Sequence, residues 1–346
     1  MVKKIGIRIL ALSVIILLLN IIYNFALFKN DLNNKCEQVP EMLQKQNTSD
    51  VFYFAESSNF SSQSKDSIKQ SISEITNLFY PSLKITAINK AASHAGIYKH
   101  WLMQLDLSKK PKAIVLTLNM RSFDAAWIHS RLETPLQESI ALLKPYPNLI
   151  NRFLLSLNAF DDKTEQQREQ LMLDDWKTTQ LIFPFDFKYK TVREWDDAMA
   201  NGGYIKPDGS WDTEKIILAC HYIKGYAFNI KETNPRIIDF DFVAEWCFKN
   251  NISLYLNLMA ENIQYSDSLV GKELVFLLKQ NRDYLVNRYN KNNCTVVDNL
   301  ELINGKEFSD QTWTTEHYSY KGRMIIAKNL AGKLKNQFNN YYKKAY

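Results

Sequence analysis

The sequence predicts an α/β protein with a doubly wound, mostly parallel sheet. Three observations lead there. Short apolar runs at residues 51–54, 113–118 and 252–258 alternate along the chain with stretches patterned as helices, and strands alternating with helices build parallel sheets. The run Ala113-Ile114-Val115-Leu116-Thr117-Leu118 is almost unbroken in apolar character, as expected of a strand covered on both faces. Hydrophobic residues make up 46% of the chain and charged residues 23%, which suits a globular protein with a true core.

Ahead of these runs, residues 9–28 form a 20-residue stretch without a charge, preceded by Lys3, Lys4 and Arg8. That length spans a bilayer core, and basic residues on its near side predict a cytoplasmic N-terminus over 1–8 with the remainder exported. The stretch ends in Tyr23-Asn24-Phe25-Ala26-Leu27-Phe28, with no small-x-small site for cleavage, so it reads as a retained transmembrane helix rather than a signal peptide. Residues 29–50 are polar and aperiodic and read as a tether. The globular part is expected over 51–346.

Within it, the strand at 51–54 is followed by a helix over 64–79, with Ile68, Ile72, Ile75 and Phe79 on one face. Short strands are expected at 84–88 and 295–297. Helices are expected at 239–250, with Asp239 as a cap, at 268–289 and at 319–338, the last with Met324, Ile325, Ala327, Leu330 and Leu334 inward. Residues 122–236 interrupt the alternation with an aromatic-rich, mostly helical insertion, read either as a cover for a site or as a plain subdomain. A net charge of +6 with basic residues gathered at the termini carries no nucleic-acid signature. The four cysteines, Cys36, Cys220, Cys247 and Cys294, include no CxxC pair, so no metal is implied. An exported location permits a Cys220–Cys247 disulfide, and four buried thiols are the alternative.

Several polar residues fall where strands end. Ser57 follows the first strand and precedes a helix, a turn that exposes a hydroxyl at the sheet's rim beside backbone N–H groups. Asn119 follows the 113–118 strand. His317, one of five histidines, lies in a polar turn before the last helix. A histidine within reach converts a serine into a useful nucleophile. Each also has a plain reading: Ser57, Ser58 or Asn59 as a helix cap, Asn119 satisfying loop backbone, His317 as a surface residue.

In their order, Ala55-Glu56-Ser57, Asn89-Lys90-Ala91-Ala92-Ser93-His94, Thr117-Leu118-Asn119-Met120 and Thr314-Thr315-Glu316-His317 resemble the four blocks of the SGNH/GDSL hydrolase superfamily. The resemblance covers residues 51–121 and about 237–335, not the insertion. It implies the flavodoxin-like fold of that family, Ser57 as nucleophile, Ala92 or Ser93 and Asn119 as oxyanion donors, and His317 as base. The chain departs from the pattern at Ala55 and Glu56, which replace glycine and aspartate, and at Thr314, which stands where an acid belongs. Asp310 and then Glu316 are the nearest acids, and neighbouring side chains on an extended backbone point to opposite sides, which ranks Asp310 first.

The resemblance implies a serine esterase or O-acyltransferase acting on acyl esters, acetyl above all, of a cell-envelope carbohydrate. It would be held single-pass in the inner (cytoplasmic) membrane with its domain on the periplasmic side, needing no cofactor and working beside a membrane-bound O-acyltransferase. Trp176, Trp195, Tyr204 and Trp211 of the insertion are candidates for stacking on sugar rings, with core packing as the alternative. A non-catalytic envelope binding or assembly module on the same fold is the competing expectation.

Overall fold

The computed structural model describes residues 2–64, 66–161, 163–310 and 312–344. In chain order its elements are α1 (Val2–Ala26), α2 (Phe28–Lys35), α3 (Gln38–Lys45), β1 (Val51–Ala55), α4 (Ser57–Phe60), α5 (Ile72–Phe79), β2 (Ile85–Asn89), α6 (Ala95–Leu102) and β3 (Ala113–Leu118). The insertion follows with α7 (Ala125–Ile128), α8 (Glu133–Leu142), α9 (Asn148–Ser156), α10 (Glu165–Thr178), α11 (Val192–Ala200) and α12 (Thr213–Tyr226). The alternation resumes with α13 (Pro235–Lys249), β4 (Ser253–Leu258), α14 (Ile263–Leu269), α15 (Lys272–Tyr289), β5 (Cys294–Asp298) and α16 (Tyr320–Lys344).

The five strands form one parallel sheet in the order β2-β1-β3-β4-β5. The order reverses between β1 and β3, and in open α/β sheets a crevice opens at that point outside the strands' carboxyl ends. All residues of β1 and β3 are buried because both faces are covered. Phe52, Phe54, Ile114 and Leu116 face a core shared with α6, α13, α15 and the insertion. Val51, Tyr53, Ala113 and Val115 face the core under α5 and α16.

Several elements differ from their sequence signatures. The helix expected over 64–79 begins only at Ile72, where Ser71 and Glu74 make a reciprocal capping box. The cause lies on α16. The fully buried Arg323 guanidinium donates to the carbonyls of Ser61 (3.1 Å), Ile68 (2.8 Å) and Gln70 (2.9 Å) and pairs with Asp66 at 3.1 Å. Carbonyls bonded to a distant arginine are drawn away from a helical ladder, so residues 61–64 and 66–70 run as an irregular strap and Ile68 stays exposed.

The polar stretch 29–50 is likewise not a loose tether. It contains α2 and α3, whose Cys36, Val39 and Met42 enter the core, and Gln46 Nε2 donates to Lys109 O at 3.1 Å. Helix α13 starts at Pro235 with Asn234 as its cap. Asp239 lies inside that helix and pairs with Lys99 of α6 at 2.5 Å. The helix expected over 268–289 is two, α14 and α15, parted at Gly271, whose φ of 123° an L side chain resists. Cys220 and Cys247 are not bonded; all four cysteines are free, buried thiols. Trp176 and Trp195 are core residues, and Tyr204 donates its hydroxyl to Leu269 O. Trp211 alone among the four proposed stacking aromatics is largely exposed.

Removing one partner of a buried ion pair strands the other charge, at about 3–5 kcal/mol. Arg323→Met is therefore expected to lower unfolding free energy by roughly that amount in urea titration, and to make the strap before α5 the first site of limited proteolysis. A variant as stable and as protease-resistant as the parent would contradict this role for Arg323.

Candidate active site

Ser57 opens α4 directly beyond β1. The helix cap is the preceding residue, Glu56, whose carboxylate accepts the Ser58 N–H at 3.3 Å. Ser57 is thus free of capping duty, and its Oγ lies 3.2 Å from His317 Nε2. The other ring nitrogen of His317, Nδ1, is 3.0 Å from Asp310 Oδ2. Thr315 Oγ1 donates to the same carboxylate oxygen at 2.9 Å. A hydroxyl, an imidazole and a carboxylate thus stand in line, though Ser57 and His317 are 260 positions apart.

A short antiparallel ribbon brings the acid to the imidazole. Ser309 N donates to His317 O at 2.8 Å, Ser319 N donates to Glu307 O at 2.8 Å, and Phe308 bridges Tyr318. This ribbon folds the chain back so that Asp310, seven positions before His317, comes alongside it. Thr314, three positions before, is buried.

Glu316 does not reach His317. Its carboxylate turns inward and takes both arms of Arg121, from Nε and Nη2, at 2.6 Å each. Arg121 comes from the 3-10 turn Met120–Phe123 after β3, so this pair fastens the His317 loop to the neighbouring strand end. Two more carboxyls share the buried ground. Tyr226 of α12 donates to Glu261 Oε2 at 2.5 Å, and Ser57 Oγ lies 3.0 Å from Glu56 Oε2. Burial, then the Glu316 charge, pushes Glu261 well above the usual carboxyl range and raises Glu56 too. Burial pushes Glu316 up, but the Arg121 charge and its two hydrogen bonds, with backbone and Asn119 donors, together hold it low. The ionised form of one carboxylate is therefore favoured against one guanidinium, while burial raises the pKa of its two acidic neighbours.

Asn119 does two things. Its Oδ1 accepts the Arg121 N–H at 2.9 Å and so caps the turn. Its Nδ2 is buried without a hydrogen-bond partner, although it is close enough to Glu316 to help hold that carboxylate low. A buried donor left unpaired costs free energy unless something else accepts from it. Ala92 follows β2 with φ of 55°, a left-handed conformation that glycine adopts more readily. Ser93 points away from the rim: its Oγ donates to Lys90 O at 2.7 Å and meets Tyr98 OH at 2.8 Å in the core.

The surroundings of the site leave little trace in the sequence. Trp313, about half exposed, meets the ring of His221 from α12 edge-on at 5.3 Å between centroids. Arg121 Cζ lies 5.1 Å over Trp127. Burial, then the Arg121 and Lys224 charges, lowers the pKa of His221, which leaves its ring neutral at pH 7. Trp313 lies between Asp310 and His317 in the chain, which was the one signal available.

The acid cluster sets a pH dependence. Because the Glu261 pKa is raised on folding, its contribution to stability is complete below the unfolded carboxyl value of about 4 and is lost as pH rises through the folded value. Glutamine cannot ionise. Glu261→Gln should therefore gain stability relative to the parent as pH is raised from about 4 toward 9, measured as the gap between their unfolding midpoints. Parallel midpoint curves across that range would rule out the raised Glu261.

No protein-family model matches this chain, and no curated protein matches it in sequence.

Proposed function

We propose that the chain is a serine esterase or O-acyltransferase of the SGNH type that acts on acyl esters, acetyl in the first instance, of a carbohydrate outside the cytoplasmic membrane. The observation that carries this reading is the line from Ser57 Oγ to His317 Nε2 at 3.2 Å and from His317 Nδ1 to Asp310 Oδ2 at 3.0 Å. Those are the distances and order that nucleophilic acyl transfer requires.

In the proposed reaction, Ser57 Oγ attacks the ester carbonyl carbon as its proton passes to His317 Nε2. Asp310 holds the ring in the tautomer with its proton on Nδ1 and stabilises the imidazolium that forms. The carbonyl oxygen takes up negative charge against the Ser57 N–H, the backbone at Ala92 and the unpartnered Nδ2 of Asn119. The tetrahedral intermediate collapses, the carbon–oxygen bond to the alcohol breaks, and His317 returns the proton to the departing alkoxide. Water or a sugar hydroxyl then attacks the acyl-serine with His317 as base, and Ser57 leaves with its proton restored. The half-exposed Trp313 at the rim offers a face of the kind that stacks on a sugar ring.

Glu56 bears on the first step. A serine hydroxyl has one proton, and an ionised Glu56 at 3.0 Å competes with His317 for it. A protonated Glu56 instead donates to Ser57 Oγ and leaves the serine proton to the histidine. The raised Glu56 pKa favours the productive arrangement.

The N-terminal helix α1 is long and apolar enough to cross a membrane, and its most apolar stretch is uncovered by the rest of the chain. In this reading it spans the cytoplasmic membrane once, with the domain on the periplasmic side, where a membrane-bound O-acyltransferase would be a suitable partner.

A fluorophosphonate probe should label the full chain in detergent, and Ser57→Ala should abolish the labelling. Acetyl release from an O-acetylated polysaccharide should fall to background in Ser57→Ala and His317→Ala, and by about 100–1000-fold in Asn119→Ala. An unlabelled parent chain, or a Ser57→Ala variant that still turns over, would leave the non-catalytic binding module as the better reading. A second expectation isolates Glu56: the parent's rate should decline as pH rises through the raised Glu56 pKa, while Glu56→Gln, which donates at any pH, should hold its rate there. A Gln variant that declines alongside the parent would remove Glu56 from the mechanism.

A further inference from the structure

Helix α9 of the insertion stands against the far end of α1. Asn20 Oδ1 accepts the Leu149 N–H at 3.0 Å, and Asn148 Nδ2 donates to Asn24 Oδ1 at 2.9 Å. Arg152 pairs with Asp31 at 3.1 Å, and Tyr23 OH donates to the same carboxylate at 2.8 Å. A helix rises about 1.5 Å per residue, so Asn20 and Asn24 lie within about 10 Å of the end of α1. An apolar span of about 20 residues fills the hydrocarbon core, and along the 9–28 stretch Asn24 and Asn20 lie about 6 and 12 Å inside its outer end, which puts the first turn of α9 at or below the depth where acyl chains meet headgroups.

The two sides of α9 differ sharply. Asn151 and Leu155 are buried, and Asn151 Nδ2 donates to Leu142 O at 3.1 Å and Lys144 O at 2.9 Å, which ties α9 to α8. The opposite side carries Ile150, Phe153 and Leu157, exposed by 41%, 61% and 60%, with Tyr146 just ahead at 54%. Their i, i+3, i+7 spacing makes one stripe. The same end of α1 carries Phe25, with Leu27 just beyond it, 88% and 55% exposed, so apolar surface runs from α1 toward the domain to which Asn20 and Asn24 bond. A soluble partner seated there would have to enter the headgroup layer.

We infer that α9 is an interfacial helix. Its Tyr146, Ile150, Phe153 and Leu157 sink into the outer boundary of the bilayer that α1 spans, and they hold the globular domain down on that membrane at a set orientation. The inference rests on reading α1 as a membrane span.

The test is site-directed spin labelling of the full chain in liposomes of phosphatidylethanolamine and phosphatidylglycerol. Labels go on Phe153→Cys and Leu157→Cys, with Leu12→Cys in α1 and Leu171→Cys on α10 as references; the native thiols are buried, and the parent chain sets the background. Collision with oxygen is compared with collision with a water-soluble nickel chelate. The expected result is an oxygen-to-nickel ratio at 153 and 157 several-fold above that at 171 and approaching that at 12. Ratios at 153 and 157 equal to that at 171, with position 12 still lipid-like, would overturn the interfacial helix while leaving the span intact. Shielding of 153 and 157 from both probes would mean a protein covers the face, which also overturns it. A water-like ratio at position 12 would remove the span and this inference together.

Discussion

The bidentate pair between Arg121 and Glu316 holds the rest of the candidate site in place. It is buried, both arms are 2.6 Å long, and it joins the turn after β3 to the loop before α16. A carboxylate committed to the interior at position 316 forces the next side chain the other way, because successive residues on extended backbone alternate. His317 therefore faces the rim, where β1 delivers Ser57. A buried ion pair adds little net stability and is costly to break. What it contributes here is a single allowed register for the loop.

Around that pair the chain has gathered more acid than one guanidinium neutralises. Glu56, Glu261 and Glu316 are all buried, and they have divided the charge: Glu316 is held low, while Glu56 and Glu261 are raised. Titratable groups pushed apart by their surroundings are often found where chemistry takes place, although structural networks do the same. Tyr226 and Trp313 tie this ground to α12 and to the Asp310 loop, so the insertion touches the candidate site as well as carrying the surface that faces away from it.

Much was legible in the chain. The five strands lie close to the runs read from the chain, β1 and β3 above all, because a parallel strand buried on both faces has few sequences open to it. The last helix, with Ala327, Leu330 and Leu334 buried, follows from its apolar spacing. The strand ends at Ser57 and Asn119 could be marked for the same reason: a polar residue that closes a buried strand sits at the sheet's edge. The pairing of residues 307–309 with 317–319 was not legible, since those short segments carry no apolar period, and it is this pairing that puts Asp310 rather than Thr314 beside His317. The strap before α5 misled because Ile68 and Ile72 share a helical spacing, while the arginine that captures its carbonyls lies 255 positions from Ile68.

Local rules thus decided the things that depend on local spacing: the fold class, the strands, the final helix and the apolar character of residues 9–28. Folding decided everything set by long-range partners. Residues 29–50 pack because Cys36, Val39 and Met42 find a core, and Cys220 and Cys247 stay unbonded, the first with its Sγ on Asp196 O and the second buried in the core. The Nδ2 of Asn119 is left without a hydrogen-bond partner, and Ser57 is released from capping by Glu56. These outcomes turn on which groups the fold brings alongside one another, and hydrophobic periodicity carries no record of that choice.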